Sequence, residues 1–420
     1  MPVNPVRDVD LSGATDLLFD GRDTSGFYRL IDPLLNPDNL EYMYYPRATS
    51  LGAYDLDGDG ELDHVMFNNQ TGQYVAQMSF QPTLFSATQL GALAYSVYGF
   101  ADIDGDGADE AIARHDDPLN DRFYILDDMF NTRTSIGLIS FDIEGTGDFN
   151  GDGRTDLLMR RPADGAFGVF DTSDPDNFFA VGRTAYNVIA IGDFNGDGAD
   201  DLLTRNTNRN GHFYLFEGDT NTPFATPVQV GLKALNAIAT GDFDGDGSLD
   251  LLMYRDASGY YMLTNNLTTL IDIRFGNDTF EAIGDFNGDG MDDILLRRLN
   301  GEGRIVYSGD RSTSNLAPRL IGRTVEDIGD YDGNGAEDVL LKDAGNDFFY
   351  IAPEAVDVLV RLGREARYGD LMHANGIDTL GMFEQFDINN SPSVPQPEND
   401  ADIVDFPPPE MIWDDGWMGV

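Results

Sequence analysis

A nine-residue acidic, glycine-rich stretch recurs along this chain and limits its fold more than any other feature. The clearest copy, residues 285–293, has the sequence DFNGDGMDD. Seven copies begin at Asp55, Asp102, Asp148, Asp193, Asp242, Asp285 and Asp330, and successive starts lie 43 to 49 residues apart. A period of that length is typical of propellers and solenoids, in which each repeat forms one supersecondary unit.

The residue types within each copy indicate a cation site. Side chains that carry oxygen stand at positions 1, 3, 5 and 9, glycines stand at positions 4 and 6, and no nitrogen or sulfur ligand is present. Calcium takes about six to eight oxygen ligands, and glycine permits the sharp turn that brings alternate side chains to one point. Position 7 varies between copies, which favours a backbone carbonyl as the ligand there.

We therefore expect about seven calcium sites, each with ligands from positions 1, 3, 5, 7 and 9. The predicted ligands are Asp55, Asp57, Asp59, Glu61 and Asp63; Asp102, Asp104, Asp106, Ala108 and Glu110; Asp148, Asn150, Asp152, Arg154 and Asp156; Asp193, Asn195, Asp197, Ala199 and Asp201; Asp242, Asp244, Asp246, Ser248 and Asp250; Asp285, Asn287, Asp289, Met291 and Asp293; and Asp330, Asp332, Asn334, Ala336 and Asp338.

The EF-hand shares the start of this pattern but requires a carboxylate at position 12 and a helix on each side. Position 12 is Met, Ala, Thr or Leu in every copy here. Each copy also runs into a short apolar stretch, such as residues 293–296, and such stretches bounded by Gly, Asn and Asp predict strands. The sequence therefore favours an all-β meander over paired helices.

These nine-residue loops, with the Ile-Gly or Thr-Gly seen ahead of the copies at 193, 242, 285 and 330, resemble the FG-GAP or VCBS-type calcium-binding β-propeller repeat. That family includes the heads of integrin α-subunits and many secreted bacterial proteins. The resemblance covers about residues 1 to 380. It implies four-stranded antiparallel blades, with each loop joining the innermost strand A to strand B and a metal ion stiffening that connection.

The ends of the repeat region bear on the number of blades. Residues 8–16 form a degenerate copy in period with the others, and residues 370–378 form a second one that lacks most ligands. We expect a strand near residues 366–370 to complete the first sheet, because residues 1–7 are short and proline-rich. This arrangement favours eight blades over seven in a propeller domain of residues 1–380.

Composition limits the environment and the partners. The net charge is −48 and cysteine is absent. An acidic surface argues against nucleic acid and anionic membranes as partners, and no stretch is apolar enough to insert into a membrane. Calcium would replace disulfides as reinforcement outside the cell, so we expect an extracellular protein, secreted or on the cell surface. No signal peptide is visible, so we expect a removed signal or another export route.

Residues 387–420 differ from the repeats. They contain no Lys or Arg, eight acidic residues and six prolines, and they hold both tryptophans of the chain, Trp413 and Trp417. The composition predicts a flexible acidic tail. Its apolar tip resembles a docking peptide for a partner; the alternative is that it lies across its own propeller.

Two further patterns have a functional and a structural interpretation. Five basic residues follow the loops at one spacing, and they would either contact an acidic glycan or pair with nearby carboxylates. Aromatic residues in the third strand of several repeats, such as Phe213 and Tyr214, Tyr260 and Tyr261, and residues 348–350, would either stack on sugars or fill the space between blades. We favour the structural interpretation of both. The basic residues are Arg114, Arg160, Arg205, Arg297 and Lys342.

No catalytic signature is apparent, and the four histidines are scattered along the sequence. We therefore expect no catalytic residues and no enzyme. The expected function is recognition: adhesion, surface assembly, or binding of a protein or glycan partner. The alternative is a lectin or a polysaccharide lyase on the same scaffold, since some propellers of this kind are lyases.

Overall fold

A computed structural model provides the coordinates of the chain. It describes residues 14–20, 26–30, 40–44, 48–78, 87–90, 95–115, 122–127, 129–137, 141–173, 178–182, 186–206, 211–219, 224, 227–230, 235–256, 258–314, 320–345, 348–353, 360–364 and 370–372. The chain divides into two units, residues 1–384 and 385–420. The second unit, with Trp413 and Trp417, lies outside the described residues. So do most of the degenerate copies at 8–16 and 370–378.

The apolar stretches after each loop form strands, as the sequence predicts. In order, the strands are β1 (Leu17–Asp20), β2 (Gly26–Leu30), β3 (Leu40–Tyr44), β4 (Ala48–Tyr54), β5 (Asp63–Asn68), β6 (Gln73–Gln77), β7 (Ala87–Leu90), β8 (Tyr95–Ala101), β9 (Glu110–His115), β10 (Phe123–Asp127), β11 (Thr132–Gly137), β12 (Asp142–Gly147), β13 (Asp156–Arg160), β14 (Phe167–Phe170), β15 (Phe178–Gly182) and β16 (Tyr186–Gly192).

The second half of the chain continues the pattern. Its strands are β17 (Asp201–Asn206), β18 (Phe213–Phe216), β19 (Val228–Val230), β20 (Asn236–Gly241), β21 (Asp250–Arg255), β22 (Gly259–Thr264), β23 (Thr269–Arg274), β24 (Thr279–Gly284), β25 (Asp293–Arg297), β26 (Gly303–Val306), β27 (Thr313–Ser314), β28 (Arg323–Gly329), β29 (Asp338–Asp343), β30 (Phe348–Ala352), β31 (Val360–Arg364) and β32 (Asp370–Met372).

Seven of the eight sheets are four-stranded antiparallel meanders in which an acidic loop joins the first two strands. In the fourth of these seven, for example, the order is β16-β17-β18-β19, and the register pairs Gly192 with Asp201 on either side of the loop. Strand β17 is buried over its first four residues, beginning with Asp201. The loop therefore presents position 9 at the start of a buried strand.

The favoured count of eight blades is wrong, and the seven-blade alternative applies. Seven sheets, from β4 to β31, are blades in which four strands follow one another in the chain. The first repeat contributes only three strands, β1 to β3, to a composite sheet. The fourth strand of that sheet is β32, which pairs with β1 through Phe19 and Leu371. A late strand thus completes the first sheet, as expected, but it does not make that repeat a blade of the same kind.

The hydrophobic core lies between consecutive blades. Phe213 and Leu215 of β18 pack with Leu251 and Met253 of the next blade, together with Phe194 from the loop between β16 and β17. Equivalent clusters join the other neighbouring blades. The aromatic third strands therefore fill the space between blades, which confirms the structural interpretation of Phe213.

Among the residues that the structure describes, no helix has the length and apolar character needed to cross a membrane.

Candidate metal centres

The first aspartate of each loop organises the turn. Asp285 Oδ1 accepts hydrogen bonds from the backbone N–H groups of Gly288, at 2.7 Å, and Asp289, at 3.1 Å. Its Oδ2 accepts from the N–H of Gly290 at 2.7 Å. Gly288 and Gly290 have φ of 72° and 84°, which side chains rarely adopt. The two glycines thus wrap the backbone around one carboxylate.

Position 9 lies at the bottom of the loop, where its strand enters the core. Asp293 is fully buried, and its Oδ1 accepts a hydrogen bond of 2.9 Å from the N–H of Ser308, just after the third strand. Asp201 makes the same link with Gly218 at 2.7 Å. Position 9 therefore holds the loop, the second strand and the end of the third strand together.

Three position-9 carboxylates each keep one buried oxygen without a hydrogen-bond partner. These atoms are Asp156 Oδ2, Asp250 Oδ1 and Asp293 Oδ2. A buried carboxylate oxygen without a partner costs free energy, so such atoms are normally satisfied by a donor or a cation. A calcium ion fits these loops, because the side chains at positions 1, 3, 5 and 9 all offer oxygen.

Four loops bring three carboxylates to within 4.8 Å of one another, a spacing that a single ion can bridge. Three of them use positions 1, 3 and 9: Asp55, Asp57 and Asp63; Asp102, Asp104 and Glu110; and Asp330, Asp332 and Asp338. The fourth uses positions 1, 3 and 5: Asp242, Asp244 and Asp246. The three remaining loops carry Asn at position 3, namely Asn150, Asn195 and Asn287.

Positions 5 and 7 are joined by a local hydrogen bond in every loop. Asp289 Oδ1, for example, accepts the N–H of Met291 at 3.0 Å, and Asn334 accepts from Ala336 at 2.7 Å. This bond orients the position-5 side chain within the turn. The position-7 carbonyls stay predicted ligands.

The position-9 carboxylates are buried close to other carboxylates, and this raises their pKa. Burial, with the neighbouring carboxylates of the same loop, raises the pKa of Asp201, Asp250 and Asp293 to about 8. Burial likewise raises the pKa of Asp156 and Glu110 to about 7, with added repulsion from loop carboxylates and from Asp171 and Asp127 outside the loops. The charged form is thus disfavoured until a cation offsets the repulsion.

Neighbouring loops are joined by a feature that the sequence analysis missed. The backbone N–H at position 8 of one loop donates to the carbonyl at position 1 of the preceding loop. The pairs are Asp109 to Asp55, Thr155 to Asp102, Asp200 to Asp148, Leu249 to Asp193, Asp292 to Asp242, Glu337 to Asp285, and Thr15 to Asp330, at 2.6 to 3.0 Å. The last pair joins the first repeat to the seventh blade.

Where position 8 is aspartate, the side chain adds a second bond. Asp292 Oδ2 accepts the N–H of Asp242 at 2.9 Å, and Asp200 Oδ2 accepts that of Asp148 at 2.8 Å. The glycine ahead of the loops at 148 and 242 makes room for this side chain: a Cβ on Gly147 would lie 2.7 Å from Asp200 Oδ2, and one on Gly241 would lie 2.5 Å from Asp292 Oδ2. Close packing therefore explains the glycine of the Thr-Gly and Ile-Gly pairs. The frequent acid at position 8 was the signal in the sequence that could have indicated the link between neighbouring loops.

The five basic residues are engaged within the protein, although not only with carboxylates. Arg160 contacts Glu144, and Arg297 Nη2 donates to Glu281 Oε2 at 2.8 Å. Arg205 lies over Phe213, with 5.2 Å from its Cζ to the ring centre. Arg114 and Lys342 lie over Phe123 and Phe349 in the same way. Arg114, Arg205 and Lys342 thus each stack on the aromatic ring of the residue opposite on the next strand.

The described histidines are distributed over three blades. His64 lies in β5, His115 in β9 and His212 beside β18, so that each belongs to a different blade. His115 packs against Tyr95, with ring centres 4.9 Å apart. His373 lies outside the described residues.

Comparison with known proteins supports the repeat assignment. Residues 193–253, which contain the loops at 193 and 242, match the FG-GAP-like repeat family. No curated protein sequence matches the chain.

Several solved structures share a similar architecture at low identity. The β-propeller domain of the Trilobed protease from Pyrococcus furiosus is 12% identical, with a TM-score of 0.36 over 80% of this chain and 94% of that one. Prolyl oligopeptidase B from Galerina marginata is 12% identical, with a TM-score of 0.48 over 76% and 51%. An oligogalacturonate lyase in complex with manganese is 11% identical, with a TM-score of 0.42 over 86% and 88%. No inference about activity follows from these similarities.

Proposed function

We propose, on the premise that this chain carries FG-GAP-like repeats in a propeller of four-stranded blades, that its loops bind calcium and that the bound ions stabilise the fold. The observation that carries the proposal is the set of buried position-9 oxygens without partners, at Asp156, Asp250 and Asp293. Each of these atoms belongs to the position-9 carboxylate of a separate loop. A cation is the natural partner for such an oxygen.

The chain's own residues position the ligands before any ion binds. Position 1 is held by the glycine N–H groups, and position 9 by the second and third strands. Calcium, when bound, supplies the positive charge that lets the carboxylates of one loop stay ionised together. Because position 9 begins a core strand, the effect of the ion extends from the loop to the blade.

The dependence of stability on bound calcium also supports an extracellular location. If a site binds with a Kd of ~10⁻⁴ M and the medium holds about a hundred times that concentration, each ion adds about 2.7 kcal/mol to the free energy of unfolding. In a compartment with scarce calcium this contribution is lost. A chain of net charge −48 without cysteine is stabilised most where calcium is abundant.

We further propose that the propeller serves in recognition, as an adhesion or surface-assembly module for a protein or glycan partner. The support is the repeated, stiffened scaffold and the separation of the described histidines among different blades. The tail that contains Trp413 and Trp417 is a proposed docking segment. A truncation after Asn390 that leaves partner attachment unchanged would exclude that role.

The calcium proposal is tested by thermal unfolding of the full chain at low ionic strength, in calcium and in EDTA. We expect a higher midpoint in calcium, and equal midpoints would refute the proposal. The recognition proposal is tested with a glycan array and a screen for unsaturated uronate release. Release of unsaturated uronate would favour the lyase alternative.

A further inference from the structure

We infer that Asp171, which lies outside the nine-residue loops, belongs to the calcium site of residues 148–156 and strengthens calcium binding there. The inference rests on the proposed function, because it requires that this loop binds calcium. The loop has Asn150 at position 3, where four of the seven loops have aspartate. Its own side chains therefore supply three carboxylates, those of Asp148, Asp152 and Asp156, and Asp171 supplies a fourth.

Asp171 directly follows β14 and lies opposite the last residue of the loop. Strands β13 and β14 pair through Leu157 and Phe170, so the next position in this register places Asp171 across from Asp156. The backbone N–H of Thr172 donates to Asp156 Oδ1 at 3.0 Å, so the two chain segments stay close beyond the strand ends. Directly opposed side chains of an antiparallel pair lie on one face, with Cβ atoms about 4.5–5.5 Å apart. The carboxylates of Asp156 and Asp171 are therefore neighbours.

Hydrogen bonds hold the segment after β14 against the loop. Thr172 Oγ1 donates to the carbonyl of Thr155, at position 8 of the loop, at 2.9 Å. Asp171 Oδ1 accepts from the backbone N–H and the hydroxyl of Ser173, at 2.9 and 2.6 Å. The protein's own bonds therefore orient Asp171 beside Asp156 before any ion binds.

An independent observation indicates that a cation belongs beside this pair. Asp156 and Asp171 are only 1% and 5% exposed, and Asp156 Oδ2 has no hydrogen-bond partner among the described residues. Burial raises the pKa of Asp156 to about 7, and among the neighbouring carboxylates Asp171 adds the most repulsion, ahead of Asp152 and Asp148. Two buried carboxylates side by side repel each other unless a positive charge lies between or beside them.

The basic residue of the loop itself, Arg154, extends in another direction. A Cβ on Gly105, in the preceding loop, would lie 3.2 Å from Arg154 Cγ and 3.8 Å from its Nε. The Arg154 side chain thus lies over the neighbouring loop. The charge of the Asp156 and Asp171 pair is therefore best offset by a bound cation.

In the other two loops with Asn at position 3, the equivalent residue is not a buried acid. The residues that precede the N–H donors to position 9 in those blades are Glu217 and Tyr307. Glu217 is exposed to solvent, where water screens its charge. Tyr307 carries no carboxylate. Asp171 therefore distinguishes the loop at 148–156 from the loops at 193–201 and 285–293.

The test is a calcium titration of the full chain, followed by NMR at glycine amides that report on single loops. The N–H of Gly153 donates to Asp148 at 2.8 Å, and that of Gly198 donates to Asp193 at 2.9 Å. Asp171→Asn keeps the size of the side chain and removes its charge. We expect this change to raise the calcium concentration for half-saturation at Gly153 at least about fivefold, because calcium affinity depends on the number of carboxylates. The value at Gly198 should stay the same.

The matched control is Glu217→Gln, which removes a charge at the equivalent exposed position and should change half-saturation at Gly198 by less than about twofold. Adding Asn150→Asp to Asp171→Asn should restore binding at Gly153, because it returns one carboxylate to the loop. The unfolding midpoint in EDTA separates this role from a purely structural one. Asp171→Asn should raise that midpoint by removing repulsion, whereas the loss of a structural contact would lower it.

Three results would overturn the inference and leave the calcium proposal standing. They are unchanged half-saturation at Gly153 in Asp171→Asn, an equal loss of affinity at Gly198 in Glu217→Gln, and a lower midpoint in EDTA without rescue by Asn150→Asp. Glycine amides that do not respond to calcium in the unaltered chain would instead refute the calcium proposal itself.

Discussion

The backbone N–H of Thr15 donates a hydrogen bond of 2.7 Å to the carbonyl of Asp330. This bond repeats, between the two ends of the propeller, the link that joins every described pair of neighbouring loops. Gly329 accommodates it, since a Cβ there would lie 2.9 Å from the Thr15 side chain. The first and last loops are thus joined in the same register as adjacent ones, and together with the pairing of β1 and β32 they close the array.

If this closure holds in solution, the amide of Thr15 should exchange slowly with solvent. Hydrogen exchange measured by NMR should show protection at Thr15 similar to that at Thr155 and Asp200, whose amides donate the same type of bond. The N–H groups are shielded only while neighbouring loops stay together. Rapid exchange at Thr15 alone would mean that the two ends separate readily.

The glycines that directly precede five of the seven loops should be intolerant of a side chain. Gly241→Ala should lower the free energy of unfolding by about 1–3 kcal/mol, because the new Cβ overlaps Asp292. Chemical denaturation measures the effect. In an Asp292→Ala background, which removes the overlapping carboxylate, Gly241→Ala should lower the free energy of unfolding by less. An undiminished cost in that background would contradict the packing explanation.

Replacing a position-9 carboxylate should have opposite effects with and without calcium. Asp250→Asn keeps the size of the side chain but removes a charge that burial and nearby Asp244 disfavour. The unfolding midpoint should therefore rise in EDTA, while the increase produced by calcium should shrink and one bound ion per chain should be lost. Asp272→Asn, at an exposed strand position, is the control. Unchanged metal stoichiometry in Asp250→Asn would exclude Asp250 as a required ligand, because Asp242, Asp244 and Asp246 of the same loop also lie within reach of one ion.

The metal-free protein should become less stable as the pH rises from about 5 to 8. Asp201, Asp250 and Asp293 have a pKa raised from 3.8 to about 8 in the folded state, so folding favours their protonated form. Their contribution is complete below about pH 3.8 and is lost as the pH approaches 8. Calorimetry of metal-free protein should show the falling midpoint, and saturating calcium should abolish the fall. An unfolding midpoint that rises between about pH 5 and 8 would contradict the raised pKa values of these carboxylates.

Arg297 should act in folding rather than in ligand recognition. Its guanidinium donates to Glu281 and to the carbonyls of Leu320, at 2.6 Å, and Arg323, at 3.1 Å. Arg297→Ala should therefore lower the free energy of unfolding by about 1–3 kcal/mol. Exposed Arg311→Ala should change it by less than about 0.5 kcal/mol. A stable Arg297→Ala protein with weakened glycan binding would support the functional interpretation instead.

The strand pattern and the candidate cation ligands could be predicted because both are local. Positions 1, 3 and 9 of a loop such as 55–63 lie within nine residues, and two glycines determine how they converge. The period of 43 to 49 residues predicted one repeated unit for the same reason, and the resemblance to the propeller repeat implied its four strands. The number of blades was wrong because the first repeat supplies only β1 to β3, and no local signal shows that a sheet completed from two chain ends differs from its neighbours.

The amino-acid sequence by itself thus determined the oxygen-rich loops, the strands that follow them and the acidity of the chain. Only the tertiary structure decided that position 8 joins each loop to the preceding one, that Gly241 makes room for Asp292, and that Asp171 lies opposite Asp156. These relationships connect residues that are distant in the chain or lie in separate turns. They depend on how the sheets pack, which the periodicity within a single repeat does not specify.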